Sequence, residues 1–450
     1  MSFHLAEIQL PDFEIPEVQV ELSDELFDLR NAKLREKISA DWIVVWGDRE
    51  HFANLQYLCN FDPRFEEALL VIDPAGKRTL IVGNEGLMYK PICKGNVDVQ
   101  LSQVFSLMGQ RRNESPSLID TFKNLGIGNA SSVALVGWKT VTPEEEAGQL
   151  NTFIPHYILE CISQVVPDVS FSEESGVLTN PVDGLRINNE AANIAYLEWG
   201  AARASVAMNR IVRASIAGRS ELEVVSHMGY AGEPLSAHIM YASGSQELTA
   251  LRSPSHKKLN RGDAIFSAVG YWGGLSCRAG LLEEEENDFS SGIARNYFSA
   301  IAAWYESVRI GADTGEMTDL VVDKLALGGL RPALNPGHLS SSDEWLHTSF
   351  SSGNSVKLSS GMALQCDVIP EPLPVGTSLN CEDGIVLADE ALRAEIASDY
   401  PALWDRFKQR RAFMADTLGI QLDPSVLPIS NTPGYYAPLF LAPSKVFVAN

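Results

Sequence analysis

A chain of 450 residues has room for two or three domains, each with a core of its own. Its net charge of −23 sets up a negative field that repels phosphate backbones and anionic lipid, so nucleic acid and membrane surfaces are excluded as expected partners. The 45% hydrophobic and 21% charged shares are those of an ordinary globular protein, which excludes a disordered or fibrous chain.

The amino end, "MSFHLAEIQLPDFEIPEVQVELSDE", lacks the positive start and apolar centre of a secretion signal. No run of about 18 apolar residues marks a membrane span. The six cysteines (Cys59, Cys93, Cys161, Cys277, Cys366 and Cys381) are scattered without a close pair. That spacing suits reduced thiols in cytoplasm better than a disulfide framework or a zinc ribbon.

After an acidic arm over residues 1–22, Ser23 is placed to cap a helix. Asp24 and Glu25 fall in its first turn, where the helix end is positive, and the pattern runs to about Ala40. "DWIVVWGD", "EEALLVIDP" and "KRTLIVGNEG" read as buried strands, the last two joined by a Pro-Ala-Gly turn. "SSVALVGW" reads as another, after a polar helix. Strands alternating with helices predict an α/β domain over residues 23–184.

Turn residues Asn180, Pro181 and Gly184 then mark a boundary near Val182–Arg186, and a second domain is expected over residues 185–450. It opens on a long helical pattern from Ile187 to Ala217. From Ser236 onward the text reads strand, turn, strand, with helices at about Asn287–Ile310 and Gly315–Leu327. Such segregated helices and hairpins predict an α+β domain. "LLEEEEND" reads as a solvated turn and helix start. The apolar, proline-broken tail "LPISNTPGYYAPLFLAPSKVFVAN" is expected to pack on the body or on a subunit partner. "RGDAIFSAVGYWGGLSCRAGLL" reads as a hairpin, yet holds no aspartate, glutamate or histidine between Ala264 and Leu282.

"VVWGDREHFANLQYLCNFDPRFEEALLVI" resembles the N-terminal domain of the creatinase/aminopeptidase P proteins. The second domain resembles their pita-bread catalytic domain through four motifs in order: "YASG" ahead of "RGD", "NPGHLSSSDEW", "LSSGMALQCDVIP" and "NCEDGIVL". The resemblance covers nearly the whole chain past its first twenty residues, and homodimers are common among such proteins. It implies a site for two metal ions held by two aspartates, one histidine and two further acids. The histidine falls on His338 and the acids on Asp367 and Glu382, but the aspartates fall on Ala268 and on Leu275 or Ser276. Two proton-handling histidines fall on Leu251 and Trp345, with His347 close to the second.

Two hard cations close together need several anionic oxygens to offset their repulsion, so a two-metal site is not expected. His338, Asp367 and Glu382 would suffice for a single divalent ion, as in three-ligand zinc sites. Arg278 adds a fixed positive charge to the same hairpin.

Creatinase itself works without metal, so the resemblance leads first to a metal-independent hydrolase. It would cleave a C–N bond in a small zwitterionic amino-acid or guanidino substrate, without a cofactor. His338 would be the general acid/base. Asp367 and Glu382 would clamp a cationic amine or amidine, or orient His338. Arg278 and Arg64 would grip a substrate carboxylate. Two alternatives stand beside it: an Xaa-Pro aminopeptidase or dipeptidase with a reduced metal site, and a catalytically dead module that binds a ligand or a protein.

Structural readings compete at each residue. Asp367 in an apolar strand needs a partner, and Arg278 could supply one. Glu382 could be a turn carboxylate. Strand alternation turns Cys366 and Cys381 away from their neighbouring acids, which leaves Cys277 as the candidate thiol nucleophile. His238 could face the site or the core.

Overall fold

The computed structural model describes residues 2–146, 148, 150–246 and 248–450. It divides into two compact units. One is Leu22–Arg186; the other joins the segment ending at Glu21 to Ile187–Asn450. The acidic arm, read from the sequence as a segment of its own, is thus grouped with the second unit up to Glu21. Its strand β1 (Phe3–Glu7) pairs antiparallel with Lys445–Ala449, Phe3 opposite Ala449. Phe3 and Phe13 are buried in the second unit's core.

In the first unit Ser23 accepts a hydrogen bond from Leu26 N and caps the helix Asp24–Lys37. The helix stops short of Ala40 because Ile38 turns extended while its N–H still closes onto Leu34. Six strands follow: β2 (Trp42–Gly47), β3 (Ala68–Ile72), β4 (Arg78–Val82), β5 (Val97–Leu101), β6 (Ser132–Val136) and β7 (Ser170–Glu173). They form one sheet in the order β5-β4-β3-β2-β6-β7. Strands β2, β3 and β4 pair antiparallel, while β4 with β5, β2 with β6 and β6 with β7 run parallel. The unbroken apolar run in β2 has a direct cause. Ile43 and Val45 enter one core cluster while Trp42, Val44 and Trp46 enter another, so both faces of the strand are covered.

The second unit carries β8 (Met240–Gly244), β9 (Ala264–Tyr271), β10 (Gly274–Leu281), β11 (Arg331–Pro332), β12 (His338–Leu339), β13 (Ala363–Cys366), β14 (Pro370–Glu371), β15 (Asn380–Leu387), β16 (Val426–Pro428) and β17 (Lys445–Ala449). Its main sheet runs β12-β13-β15-β10-β9-β8, with β16 on β15, while β11 pairs only with β14. The tail packs on its own body: Tyr436 and Phe447 are buried and meet Phe298. Among the described residues no helix is long and apolar enough to cross a membrane.

The helix Ala191–Ala214 lies against the β9–β10 hairpin, and glycine permits the approach. A Cβ on Gly200 would stand 1.9 Å from the Trp272 carbonyl oxygen, and one on Gly274 would stand 2.6 Å from Ala201 Cβ. Gly200→Ala therefore has to push the helix off the hairpin, and is expected to destabilise the second unit by about 3 kcal/mol. A urea midpoint equal to that of the unchanged protein would show that the contact is slack.

Candidate functional site

Register gathers the site before any distance is measured. In the main sheet Met240 lies opposite Ala268, Ala268 opposite Cys277 and Cys277 opposite Glu382. On the other arm Gln365 lies opposite both Gly384 and His338. Paired residues share a face, and so do residues two apart on a strand. Met240, Phe266, Ala268, Leu275, Cys277 and Glu382 therefore stand on the same face as Gln365 and His338, with Asp367 just past the end of β13. Gly337 sets the entry to β12: its φ is +129°, and a Cβ there would meet Trp304 Nε1 at 3.0 Å and Gln365 O at 3.1 Å.

His338 is completely buried. Its Nδ1 lies 3.2 Å from the Leu339 carbonyl, which can only accept, so Nδ1 carries the hydrogen. Nε2 lies 3.0 Å from Glu344 Oε1. That contact has the distance of an ion pair without the direction of a hydrogen bond, and Nε2 is left without a directed partner. The Trp345 indole stacks on the imidazole at 4.3 Å. Burial alone would lower the pKa of His338, but the Glu344 charge outweighs it and the net shift is upward.

Asp367 and Glu382 are almost fully buried and share a hydrogen bond between their carboxyl groups. Burial first, and then the charges of Glu382 and Glu344, push Asp367 well above the usual carboxylate range. Burial, followed by the Glu344 charge, raises Glu382 to about 7, although Asn380, His338 and Asp367 pull it back. Both carboxyl groups are thus pushed toward their neutral forms, and Asp367 Oδ1 has no directed hydrogen-bond partner. Asn380 Nδ2 donates to Glu382 Oε1 at 2.5 Å. The pair can store or release a proton near neutral pH beside an imidazole that can do the same.

The opposite face of the sheet corrects one expectation. Alternation sends Arg278 away from Cys277 and Glu382, and Arg278 is buried against Asp383, Nη2 to Oδ2 at 2.6 Å. Its Nε donates to Tyr435 O at 3.2 Å. Nη1 donates to Cys277 O at 2.8 Å and Glu382 O at 3.0 Å, and Nη2 also to Thr432 O at 2.8 Å. Every N–H is taken, so none is left for a substrate carboxylate, and the partner is Asp383 rather than Asp367. Ser276 also turns to Asp383, with Oγ 3.3 Å from Oδ1. Of the two positions the resemblance offers for the second aspartate, Leu275 stands on the face of Glu382 and Ser276 does not.

Arg64 belongs to the first unit. There its Nε lies 2.8 Å from Asp62 Oδ2, and Nη2 donates to the Tyr89 hydroxyl at 2.7 Å. Cys277 faces the acids but is fully buried, and burial followed by their charges raises its thiol far above the range of a nucleophile. Cys366 and Cys381 lie in the core. His347 has Nδ1 2.9 Å from Thr348 O, and burial lowers its pKa. His238 is exposed, with Nε2 2.7 Å from Leu251 O. Glu344 was not singled out from the sequence. It returns to His338 because the loop after β12 folds back, Leu339 and Leu346–His347 exchanging backbone hydrogen bonds.

The two-metal centre implied by the resemblance does not fit. Ala268 and Leu275 have no lone pair to offer, and they pack with Phe266, Cys277 and Ala279 in an apolar cluster. Among the described residues no three His, Cys, Asp or Glu side chains converge as a metal ion requires.

No protein-family model matches the sequence, and no curated protein matches it either. Solved structures do. The recombinant prolidase from Thermococcus sibiricus superposes with a TM-score of 0.64 at 16% identity, over 82% of this chain and 96% of that one. The Xaa-Pro dipeptidase from Bacillus anthracis gives 0.63 at 15% identity, over 81% and 96%. The X-Pro aminopeptidase from Thermotoga maritima MSB8 gives 0.62 at 15% identity, over 81% and 95%. The chain therefore has the fold of the creatinase/aminopeptidase P proteins, an α/β N-terminal domain followed by an α+β pita-bread domain.

Proposed function

We propose that the chain is a hydrolase that cleaves a C–N bond in a small peptide-like substrate. The Xaa-Pro class named for the structures it resembles comes first. The guanidino class expected from the sequence comes second, because the structural likeness is to peptidases. The observation that carries the reading is the proton-sharing Asp367–Glu382 pair set beside a buried imidazole whose Nε2 has no directed partner.

In this reading water attacks the substrate carbonyl carbon and gives its proton to Glu382, whose pKa near 7 suits a base at neutral pH. As the C–N bond breaks, the leaving nitrogen takes a proton from His338 Nε2. Glu344 favours the cationic imidazole that makes this transfer. A second reading, a ligand-binding module without turnover, is favoured by the apolar residues at Ala268 and Leu275.

The test is hydrolysis of a panel of Xaa-Pro dipeptides and guanidino acids, before and after exhaustive dialysis against chelator, with metal content measured by mass spectrometry. Turnover that survives with near-zero metal is the expected result. Activity that disappears with the metal would establish a reduced-metal peptidase instead, and a silent panel would favour the binding module.

A further inference from the structure

On the face of β9 turned away from Glu382, Tyr271 packs in one core cluster with Ala207 and Ile211 of the helix Ala191–Ala214. Beside it lies a cleft of about 250 Å³ between the amino-terminal arm (Ile15, Glu17), the helix (Arg203, Val206, Arg210) and Tyr271. Arg203 builds its wall. Nη1 donates to Pro16 O at 2.8 Å and Trp199 O at 3.3 Å, Nη2 donates to Glu17 O at 3.4 Å, and Nε stands 3.6 Å from Glu233 Oε1. Glu233 is thereby compensated, and it also accepts from Ala231 N at 2.9 Å. Glu17 is exposed to water.

Two donor groups in the cleft remain unspent. Arg210 Nη1 donates to Met228 O at 3.3 Å, while Nε and Nη2 have no partner among the described residues. Gly229 makes room for that guanidinium: its φ is +83°, and a Cβ there would collide with Arg210 Nη1. Tyr271 is only 2% exposed, yet its hydroxyl has no hydrogen-bond partner among the described residues. Burial, followed by the Glu233 charge, pushes this hydroxyl up to about 12, so it keeps its hydrogen at neutral pH.

We infer that this cleft binds a small monocarboxylate with a short apolar body. The Nε–Nη2 edge of a guanidinium matches the two oxygens of a carboxylate, and the Tyr271 hydroxyl supplies a third donor. One uncompensated guanidinium balances one negative charge, which favours a carboxylate over doubly charged phosphate beside Glu233 and Glu17. Ile15, Val206 and Met228 cover the carbon body. The volume falls short of the roughly 300–1,000 Å³ of a drug-sized pocket, so a body of a few carbons fills it. The inference does not depend on the hydrolase reading, because the cleft lies on the other face of the sheet from Glu382.

Calorimetric titration of the full chain with isovalerate, against isovaleramide, isoamylamine and inorganic phosphate, tests the inference without requiring turnover. Isovalerate is expected to bind at one site per chain, and the amide, the amine and phosphate to fail. Arg210→Lys keeps the charge but loses the flat two-pronged edge, and Tyr271→Phe loses only the hydroxyl. Each is expected to weaken isovalerate by about tenfold. Arg210 is exposed, so its variant decides the matter should Tyr271→Phe fail to fold. Glu382→Gln, on the other face, is expected to leave the binding as it was. Phosphate or the amide binding as tightly as isovalerate would overturn the inference. So would the absence of isovalerate binding, or binding that Arg210→Lys leaves unchanged. Isovalerate lost from Glu382→Gln but kept by Arg210→Lys would place the ligand at the acids instead.

Discussion

His338→Gln is expected to lower kcat by about 10²–10⁴-fold, the usual loss when a positioned proton carrier is removed. Glutamine roughly keeps the length of the imidazole and leaves no large cavity, while its amide cannot transfer a proton. His338 lies at ion-pair distance from Glu344 and feels the Glu382 charge, so the substitution removes the imidazole from the middle of that electrostatic cluster. Far-UV circular dichroism and the urea midpoint should show that the second unit still folds. Full turnover in a folded His338→Gln protein would exclude acid–base work at this position, and the site would have to be sought elsewhere.

The second expectation concerns pH. Glu382 is raised from an ordinary 4.5 to about 7, and burial heads the causes. A carboxyl group whose pKa is higher in the folded state binds its proton more tightly there. Its contribution is full below pH 4.5 and is lost as pH rises through 7. The difference amounts to about 3 kcal/mol of stability between pH 4 and pH 8. Asp367, also raised, acts in the same direction. Glu382→Gln removes the ionising group and keeps an acceptor for Asn380. The variant should match the unchanged protein near pH 4 and exceed it near pH 8 by about 3 kcal/mol. Urea unfolding of the second unit at the two pH values decides it. A variant equally destabilised at both would mean that Glu382 is held as a structural carboxylate.

The parts of this protein that were legible in sequence are those whose cause is local. Strands β2, β3 and β4 are apolar runs closed by turn residues, and Ser23 with Asp24 and Glu25 spells a helix start. His338, Asp367 and Glu382 were found through motifs embedded in or beside strands, and the structure brings all three to one face. Strands β5 and β7 were not found. Each is a short edge strand with polar residues, and what holds it is its parallel neighbour, the preceding strand reached through a crossover.

Arg278 shows where local reading stops. Nothing in "LSCRAG" says which face it takes; that depends on the pairing of Cys277 with Glu382, more than a hundred residues later. The same register put Leu275 on the face of Glu382 and showed that side of the hairpin to be apolar. Glu344 reaches His338 by a loop return that follows no period, and β1 joins the second unit only because β17, at the far end of the chain, offers it an edge.

By itself, then, the sequence determined the two-domain α/β and α+β character, because composition and periodicity act over a few residues. It also determined that the hairpin between Ala264 and Leu282 carries no aspartate, glutamate or histidine, because a residue type is either present or absent. Only the tertiary structure decided that Arg278 is consumed and that Glu344 joins the site. Those facts depend on which face each side chain takes and which distant strand it meets, and long-range pairing alone fixes both.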